Sequence, residues 1–483
     1  AGGAFDADQP VLSLDQATAS LFQYVGGRGE LDSLFGEQNL YYIPVRQAGE
    51  LEYRLVYEIA FRRGGEQPTW TGRVSAVTGE VLEFFDANQY GEVTGGTYER
   101  TVTDPEVVRP FFDASLDDGT VTDRAGHFDY TGGKVSTALG GRYFRMTCDG
   151  CTNPPLVSAE TDLGLGWLQL GTGGADEVGN GVSTVAERNA FYHLTMVRNQ
   201  ATKWLSLGWL DSTITTNVNI ADTCNAFWNG TANFYRSGGG CNNTGEIADV
   251  MQHEWGHGLD GNTQGGDSAT GEGTADHVAF ILQHNSVIGP YFRTDGSGVR
   301  DVNKDTTSKG LLTWSNVTSK CPVGTTCSGP QGRQCHCEGE IYGQAGWDLA
   351  QLLVAKHGYQ TGWQEFERLF YTSLPQSGTF EPLRVVNIYD AMLAADDDDG
   401  NLANGTPNGQ EIYDAYDLHE IAGAPVGSST YCTRPSEPAV TVDDACGSLD
   451  LSWDPVPGAV EYRVMRQPLS DTKAFLPVAT VTG

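Results

Sequence analysis

The spacing of hydrophobic positions along the 483 residues changes several times, and each change marks a boundary. Leu14, Ala17, Leu21 and Tyr24 recur at helical spacing behind a Ser13/Gln16 pair suited to a capping box. From Leu51 the period becomes two. Leu51, Tyr53, Leu55, Tyr57, Ile59 and Phe61 alternate with other residues, Gly64-Gly65 marks a turn, and a second extended run ends at Thr78-Gly79-Glu80-Val81. Residues 1–90 are therefore expected to form a small α+β unit, a helix with a half-buried hairpin. Residues 91–155 are rich in Thr, Gly and Val with only short alternations, such as Phe128-Asp129-Tyr130, and are expected as a β-rich module or linker. Helical spacing returns at Phe191, Leu194, Val197 and Ala201, followed by an extended run from Thr215 to Ile220, and this mixed pattern continues over 156–422. Beyond a linker from Pro425 to Pro438, the runs Leu449–Trp453 and Ala459–Val464 predict two strands within 435–483. The fold class is multidomain α+β.

A chain of this length exceeds one ordinary core, in keeping with several domains. Asp and Glu number 62 against 29 Lys and Arg, a formal charge of -33 that repels phosphate backbones and anionic membranes, so nucleic acid is not an expected partner. No run approaches the roughly 18–20 apolar residues of a membrane span, and the start, Ala-Gly-Gly-Ala-Phe-Asp, lacks the basic and apolar parts of a signal peptide. A processed, secreted chain is the expectation. Ten cysteines in local groups point the same way, to disulfides in an oxidising compartment: Cys148 with Cys151, Cys224 with Cys241, a set of Cys321, Cys327, Cys335 and Cys337, and Cys432 with Cys446.

The chemistry concentrates in Asp249-Val250-Met251-Gln252-His253-Glu254-Trp255-Gly256-His257. Two histidines four apart on a helix lie about 40° apart around its axis, so both imidazoles reach one ion. Thr244 is the expected N-cap. A tetrahedral zinc site with an open position needs a third protein ligand. Fifteen residues after His257 stands Glu272, with Asp276 one helical turn later ahead of Val278, Ala279, Ile281 and Leu282. Glu272 is placed to complete the metal's ligands, and Asp276 to hold a ligand histidine by its other nitrogen. Glu254 is assigned to proton transfer.

His-Glu-x-x-His followed by Glu-x-x-x-Asp resembles the glutamate-zincin pattern of thermolysin and fungalysin. Asn225-Ala226-Phe227-Trp228-Asn229-Gly230 resembles the edge strand with which such proteases hold an extended substrate, which implies backbone contacts for Asn225 and Ala226. His336, ahead of Gly339-Glu340-Ile341-Tyr342, is similar to the histidine that stabilises the oxyanion in fungalysin-like enzymes. Cys335 and Cys337 are poorly placed to bridge each other, so pairing with Cys321 and Cys327 would pin this loop on both sides of the imidazole. The segment Gly72–Leu82 resembles the end of a protease propeptide, and Trp453 and Tyr462 resemble the core aromatics of a fibronectin type III module that continues beyond Gly483. The resemblance implies a two-lobed thermolysin-like zinc protease domain flanked by a small α+β and a β-sandwich module, acting on protein or peptide substrates. The last module would offer contact with a cell surface or matrix.

Departures from the family pattern limit this. No Tyr stands where thermolysin has a second oxyanion donor. Asp249 matches a calcium-ligand position whose acidic partners are missing, although Asp397, Asp399 and Asn401 offer oxygens at alternate positions around Gly400, as Ca2+ prefers. The competing reading, a non-proteolytic surface or matrix adhesion protein on a protease scaffold, draws on the two flanking modules.

Overall fold

The computed structural model describes the chain apart from residues 1–3, 8, 48–49, 64–68, 88–89, 131–133, 150, 152–156, 161–165, 264, 383–386, 424–439, 446–447, 456–460, 467–475 and 483. The Gly64-Gly65 turn, the 425–438 linker, Cys432 and Cys446 lie outside the described residues. Two compact units emerge. One comprises 1–92, 127–135 and 159–167, and the other 93–126, 136–158 and 168–483. The stretch 91–155 is thus divided between them, because the strand Tyr90–Thr97 begins in one and pairs its second half with Val107–Pro110 in the other.

In the first unit, α1 (Leu14–Tyr24) starts at Ser13, whose hydroxyl accepts from Gln16 N–H while the Gln16 side chain accepts from Ser13 N–H. Its apolar face lies on a mixed sheet centred on the long strand Glu50–Arg62, which pairs antiparallel with Asn39–Gln47 and Trp70–Ser75. Ala17, Leu21 and Phe22 meet Ile59, Phe61 and Val74 there. Gly72 is required at this contact, since a Cβ would stand 2.3 Å from Leu21 Cδ1.

The second unit opens on a four-stranded sheet in the order Phe144–Cys148, Ile214–Ile220, Ala232–Tyr235, Ala226–Trp228. The first three strands are parallel, and Ala226–Trp228 forms an antiparallel edge. Helix α2 (Val185–Ala201) packs on the sheet, capped by Thr184 with Glu187. It is followed by α3 (Ala248–Gly261), α4 (Ser268–Gln283), α5 (Val317–Lys320), α6 (Cys335–His357), α7 (Tyr359–Ser373), α8 (Ile388–Asp396) and α9 (Gly409–Leu418). Helices α3 and α4 touch closely because Gly256 brings Ala275 Cα within 2.7 Å of where a Cβ would be. Helices α4 and α6 meet around His277, which is fully buried against Tyr342 and Phe370 with ring centroids 4.2 and 5.0 Å away. A Cβ on Gly346 would stand 1.7 Å from His277 Nε2, which is walled in by those rings. Gly346→Ala is expected to destabilise the chain by roughly 1–3 kcal/mol through overpacking. Urea unfolding reads this, and an unchanged midpoint would contradict the close helix contact.

Among the described residues four disulfides tie this unit: Cys148–Cys151, Cys224–Cys241, Cys321–Cys337 and Cys327–Cys335. In the C-terminal stretch, Thr441–Ala445 pairs antiparallel with Ser448–Ser452, and Glu461–Arg466 with Leu476–Thr482. Trp453 follows the first pair half-buried, and Tyr462 lies in the second. Among the described residues no helix is long and apolar enough to cross a membrane.

Candidate metal centre

Helix α3 is buried along most of its length, so its polar residues are held by protein and not by water. Thr244 does not cap it. The helix starts at Ala248 without a side-chain cap; Ala248 N–H donates to Arg100 O, and Arg100 grips Asp249 through two hydrogen bonds of 2.7 and 2.9 Å. Arg100 thus occupies the Asp249 carboxylate, the one expected to match a calcium-ligand position. Thr244 works on the neighbouring strand instead. Its hydroxyl accepts from Tyr235 N–H at 2.8 Å and lies 3.0 Å from Asn225 O, which fixes the start of the edge strand.

His253 and His257 emerge on one face of α3 with ring centroids 4.7 Å apart. Glu272 reaches them from α4, whose first turn is capped by Asp267. The carboxylate lies 3.4 Å from His253 Nε2 and 3.8 Å from His257 Nε2. Ligand atoms of a tetrahedral zinc with bonds near 2 Å are about 3.3 Å apart, so two imidazoles and one carboxylate are spaced and typed for that ion. Asp276, fully buried one turn beyond Glu272, lies 3.0 Å from His253 Nδ1. This contact fixes His253 with a proton on Nδ1 and leaves Nε2 facing the focus.

Arg300 is a member of the site that no spacing announced. Its nearly buried guanidinium donates to Asp276 at 2.8 and 2.9 Å and to Glu272 at 3.2 Å, and its Nη2 lies 3.3 Å from His253 Nε2. A cation already stands beside the donors, as expected where two carboxylates are out of water. The protonation pattern follows. Burial works against charge on every group, but hydrogen bonds to Asp276 and Glu272 outweigh it at His253 and hold its pKa at about 9. Burial lowers His257 to about 4, aided by the His253 charge. Glu272 and Asp276 are held below the usual carboxylate range despite burial, by the facing His253 and Arg300. A dication at this focus would displace the proton on His253 Nε2.

Glu254 sits one residue off the histidine face, and burial, reinforced by Glu272, pushes it up to about 7. His336 enters from the first turn of α6, half-exposed, with Nε2 3.1 Å from Glu272 Oε1. The disulfides at Cys335 and Cys337 clamp the turn on both sides of it. Burial lowers its pKa, against the pull of Glu272. His253, His257, Glu254, Glu272 and His336 share a cleft of about 840 Å³ with Asn225 and Ala226. The cleft continues into a smaller recess of about 90 Å³ walled by Val250, Ile288, Phe292 and Val299.

No family model matches the chain, and no curated protein matches it. Among solved structures it is similar to the precursor of protealysin, a metalloproteinase from Serratia proteamaculans, at 16% sequence identity and a TM-score of 0.42 over 59% of this chain and 89% of that one.

Other clusters are chemically different. Cys148 and Cys151 lie near Glu187, and Cys335 near Glu272 and His336, but these sulfurs are in disulfides and offer no thiolate. Asp397, Asp398 and Asp399 bring their carboxylates together at the surface. Asp397 and Asp399 accept from backbone N–H groups of their own loop, and Asn401 Oδ1 accepts from Ala403 N–H.

Proposed function

We propose that the chain is a secreted zinc endopeptidase that hydrolyses peptide bonds in an extended substrate. The observation that carries this reading is the convergence of His253, His257 and Glu272 beside buried Glu254, in a cleft with an edge strand on its wall. His253 Nε2, His257 Nε2 and the Glu272 carboxylate would hold the ion. Zinc bound there supplies Lewis-acid chemistry, acidifying a water and polarising a carbonyl.

The chain's own residues do the rest. Glu254, buried beside the histidines in the same cleft, accepts the proton of the attacking water and returns it to the leaving amine. Asp276 holds His253 in the ligating tautomer and takes the charge of Arg300. His336, clamped at the cleft mouth, donates from Nε2 to the carbonyl oxygen as negative charge develops on it. Ala226–Trp228 offers its free edge to the substrate backbone, with Asn225 beside it. The 90 Å³ recess takes one apolar side chain next to the scissile bond. The disulfides fit an oxidising extracellular setting.

Casein hydrolysis by the purified chain should stop when a chelator removes the metal and return on addition of zinc. Hydrolysis that survives complete metal removal would sink the proposal, and none with zinc restored would favour the adhesion reading.

A further inference from the structure

The two ends of the metal cleft differ in chemistry. Val250, near the start of α3, walls the apolar recess, and Asp260 lines the cleft from the last turn of the same helix, ten residues and so roughly 15 Å further along the axis. The edge strand runs the same way. Asn225 and Ala226 line both the cleft and the recess, whereas Phe227 and Trp228 line the cleft alone. An extended peptide rises about 3.3 Å per residue, so the recess and Asp260 lie within about five substrate residues of each other.

Among the described residues, the charged side chains on the cleft wall beyond the metal centre are Asp260 and Asp267, and no Lys or Arg lines it. Asp267 is taken by its own helix and by a neighbouring loop, accepting from Ala269 and Thr270 N–H and from the Thr379 hydroxyl. Asp260 is bonded to the Thr274 hydroxyl, a neutral group, and burial with the nearby Asp267 charge raises its pKa to about 6. Two glycines leave room beside its Oδ2: a Cβ on Gly265 would lie 3.1 Å from that oxygen, and one on Gly271 3.2 Å. The wall opposite is aromatic. The Trp228 indole rests on the α3 turn that joins His257 to Asp260, since a Cβ on Gly258 would lie 2.7 Å from its Cζ2, and Trp209 holds the ring edge-on with centroids 6.1 Å apart. A flat aromatic face with a carboxylate beside it suits a long basic side chain, its apolar stem on the ring and its cationic head at the acid.

From the placement of Asp260 and Trp228 along the edge strand we propose that the cleft selects peptides carrying an Arg or Lys within about five residues of the apolar side chain that enters the recess. Asp260 is then a specificity-determining residue, and Trp228 the surface on which the basic side chain lies. The inference rests on the peptidase reading above, because it takes the cleft as a peptide site. It adds the class of sequence that the cleft prefers.

A fluorogenic peptide series with one fixed Leu, and with Arg, its neutral near-isostere citrulline, or Glu placed in turn at each of five positions on either side, tests this on the full zinc-loaded chain. The expected result is a position at which kcat/KM for Arg exceeds that for citrulline about tenfold and that for Glu by more. In Asp260→Asn the ratio of Arg to citrulline should fall to within about twofold of one. The same peptides are titrated by fluorescence anisotropy into the zinc-loaded Glu254→Gln chain, where tighter binding of the Arg peptide that Asp260→Asn removes is expected. If the unmodified chain cleaves no peptide, the peptidase reading fails, while this Asp260-dependent difference in binding still supports the selectivity. Equal kcat/KM and equal affinity for Arg and citrulline at every position would overturn the proposal, as would a preference for Arg that survives in Asp260→Asn, or no saturable binding of any peptide. The comparison of Arg with citrulline uses the unmodified chain, so it stands even where Asp260→Asn fails to fold.

Discussion

Replacing Glu254 with Gln is expected to leave zinc bound at one per chain while peptide hydrolysis falls by roughly 10²–10⁴-fold. The amide has the shape of the carboxyl, so the buried helix face and the neighbouring histidines keep their packing. What it loses is the capacity to accept a proton from water. Glu254 sits about 100° around the helix axis from His253, off the face that His253 and His257 share, so its replacement should not change the ligand set. The comparison is kcat/KM on a peptide against zinc content of the same preparation. Near-normal activity would remove Glu254 from proton transfer, and loss of zinc would make it a ligand.

The second large effect is expected at Asp276. Its carboxylate is fully buried and faces two partners, Arg300 through a pair of short hydrogen bonds and His253 at 3.0 Å. Asp276→Ala leaves a buried guanidinium with Glu272 as its remaining partner at the site, a loss of the kind that costs roughly 3–5 kcal/mol. The same change releases the tautomer of His253, and loss of such an outer partner typically weakens a metal site about 10- to 100-fold. Urea unfolding of the metal-free chain isolates the first term, and zinc titration against a competing chelator the second. A variant with parent-like stability and zinc affinity would show that Asp276 merely fills space.

These residues differ in how legible they were in sequence. His253, Glu254 and His257 lie within one helical turn or so, and Glu272 and Asp276 repeat that spacing on a second helix, so periodicity alone predicts shared faces. Arg300 stands 24 residues beyond Asp276 on a two-residue strand, and only the burial of two carboxylates, visible in three dimensions, calls for a cation there. Thr244 shows the converse. It has the residue type and position of an N-cap, yet the helix begins four residues later, because Arg100 supplies the helix start with its carbonyl and Thr244 is taken by Asn225 and Tyr235. Disulfide connectivity among Cys321, Cys327, Cys335 and Cys337 needed the fold, since several pairings satisfy the spacing. Helix Leu14–Tyr24 and strand Glu50–Arg62 were legible because a capped amphipathic helix and a long alternating strand carry strong periods. Between Thr97 and Cys148 the strands are three to five residues long, too short to carry a period of their own.

Zinc K-edge X-ray absorption on the purified, zinc-loaded chain tests the central claim most directly. Ligation by His253, His257 and Glu272 predicts a shell of only nitrogen and oxygen near 2.0–2.1 Å, with outer-shell scattering from two imidazoles that falls to one in His257→Ala. A sulfur shell near 2.3 Å, or a spectrum that His257→Ala leaves unchanged, would contradict the site.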